Sequence, residues 1–275
     1  LADEGLIGVQ EPFANLFTQG MITRDGAKMS KSKGNVVDPA EYVSRYGADT
    51  ARTYVCFMGP PDRGGDWVDE GVDGVHRFLS RLWRLGDEQR DVSSELSAFD
   101  RDWQRRTGGP ARELLGKAHW AIDKATRDFE RDFQFNTVIA AVMELVNDCY
   151  RLRERLAGEA DGERALRFAT ATAASLIFPF APHLGAEVWE TVVGGRLWEV
   201  PWPTADEELL AHDVITLVVQ VNGKLRDRVE VPAGAGEAEA LAAARASERV
   251  QSFLDGREPV KEIVVPGRLV NLVVR

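Results

Sequence analysis

The chain has 275 residues, 44% hydrophobic and 28% charged, enough for one large domain or two to three smaller ones and ordinary for a globular protein. Its net charge of −10 and pI near 5.1 argue against non-specific nucleic-acid binding, which runs on phosphate neutralisation, so any contact with RNA must come from local basic patches. No apolar run approaches the ~18 residues of a membrane span, and Cys56, Cys149 and the scattered His76, His119, His183 and His212 lack metal-ligand spacing, so a reduced cytosolic chain without protein-bound metal is expected.

In chain order, an extended segment over Leu16–Thr23 leads to Asp25-Gly26, a two-residue hairpin signal. Then comes Lys28-Met29-Ser30-Lys31-Ser32-Lys33-Gly34-Asn35. Residues 24–35 hold four cations (Arg24, Lys28, Lys31 and Lys33) against one acid, Asp25. Lysine is a compact charge on a flexible stem, and two ammonium groups three residues apart can meet a polyphosphate that gains charge during reaction. Ser30 and Ser32 can donate to phosphate oxygens, and Gly34 tolerates backbone geometries closed to other residues. Asp38-Pro39-Ala40-Glu41 reads as a helix start, with Asp at the N-cap and Pro at the first helical position. The helix is expected to end near Gly47, a second to begin around Asp49, and the first helix N-terminus to add to the anion site.

The period then becomes helical. Val68, Val72, Val75, Leu79 and Leu82 make one apolar stripe, and Leu114, Ala118, Ile122, Ala125 and Phe129 make another. A third runs through Ile139, Val142, Met143, Val146, Cys149 and Tyr150, with Asn136 as its expected N-cap. A fourth holds Leu166, Ala169, Ala173, Leu176 and Ile177, and Pro182 opens a fifth through Ala186, Trp189 and Val193. Short polar breaks imply an antiparallel bundle. On its surface Arg151, Arg153 and Arg155 are candidate phosphate contacts.

Trp198–Asp213 reads as a Pro-, Trp- and acid-rich linker with some packed aromatics. After it the period switches to two: Ile215, Leu217, Val219 and Val221, a type I′ turn at Asn222-Gly223, then Leu225, Val229 and Val231. A helix with Leu241, Ala244 and Val250 follows the loop from Pro232 to Gly236, and two more strands flank Pro266-Gly267. The order ββαββ predicts a small α+β domain. Strict alternation places Lys224, Arg226 and Arg228 together on the face opposite Leu225, a cationic row able to meet RNA phosphate or sugar edges.

The Lys28–Ser32 loop resembles the KMSKS loop of class I aminoacyl-tRNA synthetases. Leu16–Met21, Asp66–Leu79, Phe135–Leu145 and Val270–Val274 resemble leucyl-tRNA synthetases, so the likeness runs along essentially the whole chain. It implies the end of a Rossmann-type catalytic domain over residues 1–75, an anticodon-binding-type helix bundle over 76–205 and an α+β tRNA-binding domain over 206–275. It also implies leucine activation by ATP, brought with Mg2+, then transfer to tRNA(Leu). Lys31 is implied as the main catalytic group and Lys28 as its assistant; Lys28, Met29, Ser30, Lys31 and Ser32 would line the ATP site, and Lys224, Arg226 and Arg228 would meet RNA. A monomeric cytoplasmic enzyme without membrane attachment is expected.

The extra domain that some bacterial leucyl enzymes carry just before this loop is absent, since Met21-Ile22-Thr23 reaches it through only Arg24–Ala27. Leu1 is not an initiator methionine and no HIGH-type signature occurs, so the chain reads as a C-terminal fragment, expected to be inactive alone. The alternatives are an isoleucyl or valyl enzyme and a non-catalytic tRNA-binding module.

Overall fold

A computed structural model of the chain describes all residues except 12, 91–95, 131–132, 211–213, 233–235, 255–256, 258, 266–267 and 275. The chain divides into two compact units, Leu1–Leu210 and Ala211–Arg275. The turn expected at Pro266-Gly267 and most of the loop from Pro232 to Gly236 lie outside the described residues.

In the first unit, strands β1 (Ile22–Arg24) and β2 (Ala27–Lys28) form an antiparallel hairpin, and β3 (Gly65–Trp67) pairs parallel to β1. Asp25 and Gly26 both take positive φ, 55° and 68°, as a primed two-residue turn requires. Helix α1 (Pro39–Tyr46) starts where expected, with Ala40 N–H donating to Asp38 Oδ1 at 2.9 Å. Gly47, at φ 88°, separates it from α2 (Ala48–Phe57).

The helical stripes then follow in order: α3 (Asp69–Asp87), α4 (Arg101–Arg106), α5 (Gly109–Glu130), α6 (Phe135–Leu156), α7 (Ala160–Ile177) and α8 (Pro182–Val192). Helices α5, α6 and α7 pack on one another, and α8 packs on α7 and α3. Short connections make consecutive bundle helices antiparallel neighbours. Val72, Leu82, Leu114, Ile122, Ile139, Val146, Ala169 and Leu176 sit in one continuous core that reaches from Tyr54 and Trp67 to Leu197. Helix α6 begins one residue before the expected cap: Gln134 takes the N-cap position and Asn136 lies inside the helix.

The segment read as a linker packs one of its aromatics, as expected. Leu209 is buried, and Trp202 donates its indole N–H to Thr126 Oγ1 at 2.9 Å while meeting Phe129 edge-on.

The second unit comprises β4 (Val214–Val221), β5 (Lys224–Pro232), α9 (Glu237–Ala246), α10 (Glu248–Leu254), β6 (Lys261–Val265) and β7 (Leu269–Val273). The sheet order is β5-β4-β7-β6, with β4 and β7 parallel and the other pairs antiparallel. Leu217, Val219, Val221, Val270 and Leu272 face Ala240, Ala244, Val250 and Leu254 of the helices. Asn222 and Gly223 form the expected turn at φ 50° and 75°. Asn271 Oδ1 accepts from Gly223 N–H, and Asn222 Oδ1 accepts from Val274 N–H. The single helix expected here is two. Ser247 adopts an extended backbone between them, donating its hydroxyl to Asp227 Oδ2 and accepting from Val250 N–H.

Candidate functional site

The β1–β2 hairpin delivers the lysine loop to the surface and is held from behind by Asp66. Asp66 Oδ1 accepts from Thr23 Oγ1 at 2.6 Å and from Gly26 N–H at 3.1 Å. These bonds, Thr23 first, hold its carboxyl below the usual carboxylate range. Asp69 supports the same edge, accepting from the Tyr42 hydroxyl and the Trp67 indole and pairing with Arg24 at 3.5 Å. The Tyr42 bond is the largest cause of its lowered pKa. One of the four cations counted in the sequence is therefore already engaged.

The loop itself is a short, internally bonded arch. Lys28 ends β2, and Met29 is half-buried against the core. Ser30 is extended, Lys31–Lys33 make one 3-10 turn, and Gly34 closes it in the left-handed region at φ 66°. Lys33 N–H donates to Ser30 O and Gly34 N–H to Lys31 O. Ser30 Oγ and Ser32 Oγ lie 3.2 Å apart. Asn35 spans the arch, its Oδ1 accepting from Ser30 N–H at 2.9 Å and its Nδ2 donating to Lys28 O at 3.3 Å.

Lys28, Lys31 and Lys33 are exposed, and no ion pair among the described residues engages them. Three unneutralised ammonium groups on one anchored arch make a local cationic site on an acidic protein, suited to a polyphosphate. The N-terminus of α1, expected to add to the anion site, is capped by the Asp38 carboxylate. Among the described residues no group of three or more His, Cys, Asp or Glu could hold a metal ion, and no helix is long and apolar enough to cross a membrane.

The cationic row expected on β5 is broken. Val219 pairs with Asp227 but Gln220 pairs with Leu225, so Arg226 is the extra residue of a β-bulge. A one-residue insertion reverses the alternation beyond it. Arg228, opposite Val218, and Leu225, opposite Gln220, share the face away from the helices, and Leu225 is 52% exposed rather than in the core. Lys224, opposite Val221, falls on the helix face, while the Arg226 guanidinium lies 3.9 Å over the Phe253 ring of α10. The α6 arginines are engaged too. Arg151 pairs with Glu113 and Asp148, Arg153 with Glu88, and Arg155 with Glu113.

Sequence reasoning missed Asp66 and Asp69, whose partners lie about forty residues away for Thr23 and Gly26 and 27 away for Tyr42. It also missed the role of Asn35. The only signal was its place directly after Gly34, where a side-chain amide can reach back across a tight turn.

Residues 6–65 match the family described as tRNA synthetases class I (I, L, M and V), and residues 111–241 match the anticodon-binding domain of tRNA ligase. The leucine–tRNA ligase of Nitratidesulfovibrio vulgaris (strain DSM 19637 / Miyazaki F) is 47% identical over 100% of this chain and 33% of its own length. That of Geobacter sp. (strain M21) is 43% identical over the same shares, 100% and 33%. The chain thus spans about a third of the length of the curated relatives it matches. Among solved structures, the LeuRS of Agrobacterium radiobacter K84, in a ternary complex with tRNA and LeuAMS, superposes with a TM-score of 0.69 at 32% identity. It covers 99% of this chain and 35% of that one. Mycobacterium tuberculosis methionyl-tRNA synthetase, bound to methionyl-adenylate, shares the fold over 66% of this chain and 41% of its own, with a TM-score of 0.50 at 21% identity.

Proposed function

We propose that the chain, which resembles class I tRNA synthetases over residues 6–65 and leucine–tRNA ligases along its whole length, supplies the lysine-loop side of a leucine-activating site. The segments that support tRNA(Leu) follow that loop. In this reaction the leucine carboxylate attacks the α-phosphorus of ATP, and the bond to the bridging oxygen breaks. Leucyl-adenylate forms and pyrophosphate leaves with the bond's electron pair. Negative charge grows on the departing pyrophosphate, so a cation aimed at it binds the transition state better than the ground state.

Lys31 is the main donor of that charge and Lys28 assists, with Ser30 and Ser32 at hydrogen-bonding reach of phosphate oxygens and Met29 seating the loop. The observation that carries this reading is that the arch holds exposed lysines which no acid of the described structure neutralises. Mg2+ would arrive on ATP as part of the substrate. The adenylate is then consumed by transfer of leucine to tRNA(Leu).

We assign the start of the first unit to the end of a Rossmann-type catalytic domain, its helices to the anticodon-binding-type bundle and the second unit, Ala211–Arg275, to a tRNA-binding α+β domain. A monomeric cytoplasmic enzyme accords with this reading. Because Arg151, Arg153 and Arg155 are each paired with acids, the bundle supports the tRNA body more by shape than by those three cations. Leucine-dependent ATP–pyrophosphate exchange by the full-length protein tests the proposal. Exchange that follows isoleucine or valine instead would move it to a sister enzyme, and no exchange with any amino acid would leave a tRNA-binding module.

A further inference from the structure

We propose that Asn35 is a positioning residue for the lysine loop, a latch that sets where Lys31 stands relative to the phosphates. The inference rests on the reading of Lys31 as the charge donor. Its basis is the bonding of the arch. Every hydrogen bond that the described structure gives residues 30–34 stays within residues 28–35. The two that tie one arm of the arch to the other from a side chain both come from Asn35. One amide thus binds a donor and an acceptor of the opposite arm, as a backbone partner in a β-ladder would.

Met29 fixes the arch near one end by burial, but Lys31, Ser32, Lys33 and Gly34 are exposed and touch no other support of that kind. Without the latch, the left-handed Gly34 and the long lysine stems would let Lys31 sample many positions. Electrostatic stabilisation depends on the donor being placed before the charge appears. Alanine cannot make either bond, and aspartate can accept from Ser30 N–H but cannot donate to Lys28 O.

The test compares Asn35→Ala, Asn35→Asp and Lys31→Ala in the full-length protein. Three quantities are read: leucine-dependent pyrophosphate exchange, transfer of leucine from preformed enzyme-bound adenylate to tRNA, and trypsin cleavage after Lys31 or Lys33. Both Asn35 variants are expected to lower kcat of exchange by about 10- to 100-fold, the usual loss on misplacing a catalytic group by an ångström. The KM for leucine and the transfer rate should stay as in the parent, because pyrophosphate has left before transfer, and cleavage within the loop should quicken.

Parent-like exchange in Asn35→Ala, with Lys31→Ala impaired, would overturn the latch. Parent-like exchange in Lys31→Ala would overturn the underlying reading instead. If Asn35→Ala lost exchange and transfer together with a lowered unfolding temperature, Asn35 would be a folding residue and the inference would fall.

Discussion

His119, fully buried on α5, accepts the backbone N–H of Asp206 at Nδ1 over 3.2 Å. Its Nε2 lies 3.1 Å from Gln104 Oε1, so the network assigns the ring proton to Nε2 and leaves the imidazole neutral. Arg101 sits 3.2 Å from the ring, and Asp206 sends its carboxylate to Arg105 at 2.8 Å. The segment after α8 is therefore tied to α4 and α5 through a buried polar group with little spare bonding capacity.

Burial, reinforced by the Arg101 charge, pushes the His119 pKa down to about 3 from its ordinary 6.5. The unfolded chain then binds more protons than the folded one between those two values, so stability falls as pH drops below 6.5 and is unaffected above it. The slope should approach about 1.4 kcal/mol per pH unit. Asp206 is held low by Arg105 and loses its contribution only when pH falls through its own lowered pKa. Urea unfolding of the first unit between pH 5 and 7 should thus show a slope in the parent that His119→Gln flattens. A parent curve level across this range would contradict the buried neutral imidazole.

For catalysis, Lys31→Ala in the full-length protein should slow leucine-dependent pyrophosphate exchange by about 100-fold or more, the scale of losing a preorganised charge donor. Lys28→Ala should cost less. Leucine binding should hold, because neither lysine meets the amino-acid side chain in the proposed reaction. Equilibrium dialysis of leucine beside the exchange rate separates the two effects, and weakened leucine binding with intact turnover would refute the assignment.

Local punctuation in the sequence carried much of this fold. Asp25-Gly26 and Asn222-Gly223 form the turns their φ values demand, and Asp38-Pro39 starts a helix that Gly47 ends, since each feature is decided within four or five residues. The lysine arch was legible for the same reason. The bulge at Arg226 was not: strict alternation fits the sequence equally well, and only pairing with β4 reveals the extra residue. The helix break at Ser247 depends on Asp227, twenty residues away, and the support of the hairpin depends on Asp66, forty away. Such partners are brought together by topology rather than by spacing.

The bulge changes what the β5 cations are expected to do. If this strand meets tRNA through the face away from its helices, Arg228→Glu should weaken binding by the full-length protein and lower the salt slope by about one. Arg226→Glu should mainly destabilise the second unit, because it removes the stacking on Phe253 and leaves an acid there, at about 1 kcal/mol for the lost cation–π contact. Salt titrations of tRNA binding and thermal melts of both variants check this. Equal salt slopes for Arg228→Glu and the parent would return Arg228 to the solvated surface.

Gly20 and Gly64 pass so closely that a Cβ on Gly20 would lie 2.1 Å from Gly64 N, and one on Gly64 would lie 2.2 Å from Met21 O. Gly20 N–H also donates to Pro61 O at 2.7 Å, so this crossing leads directly into the pairing of β1 with β3 that carries the lysine hairpin. Gly64 has φ +72°, as Gly26 has φ +68°, but nothing lies within 4 Å of a Cβ on Gly26. The two positions separate backbone strain from steric collision. Gly26→Ala should cost about 1–2 kcal/mol for the left-handed conformation alone. Gly64→Ala should add an overpacking cost of about 1–3 kcal/mol and displace the hairpin, lowering pyrophosphate exchange as well as stability. Equilibrium unfolding of both variants, with exchange measured in parallel, decides it. Equal destabilisation by the two would mean that the close crossing at Gly64 relaxes without cost and does not set the position of the loop.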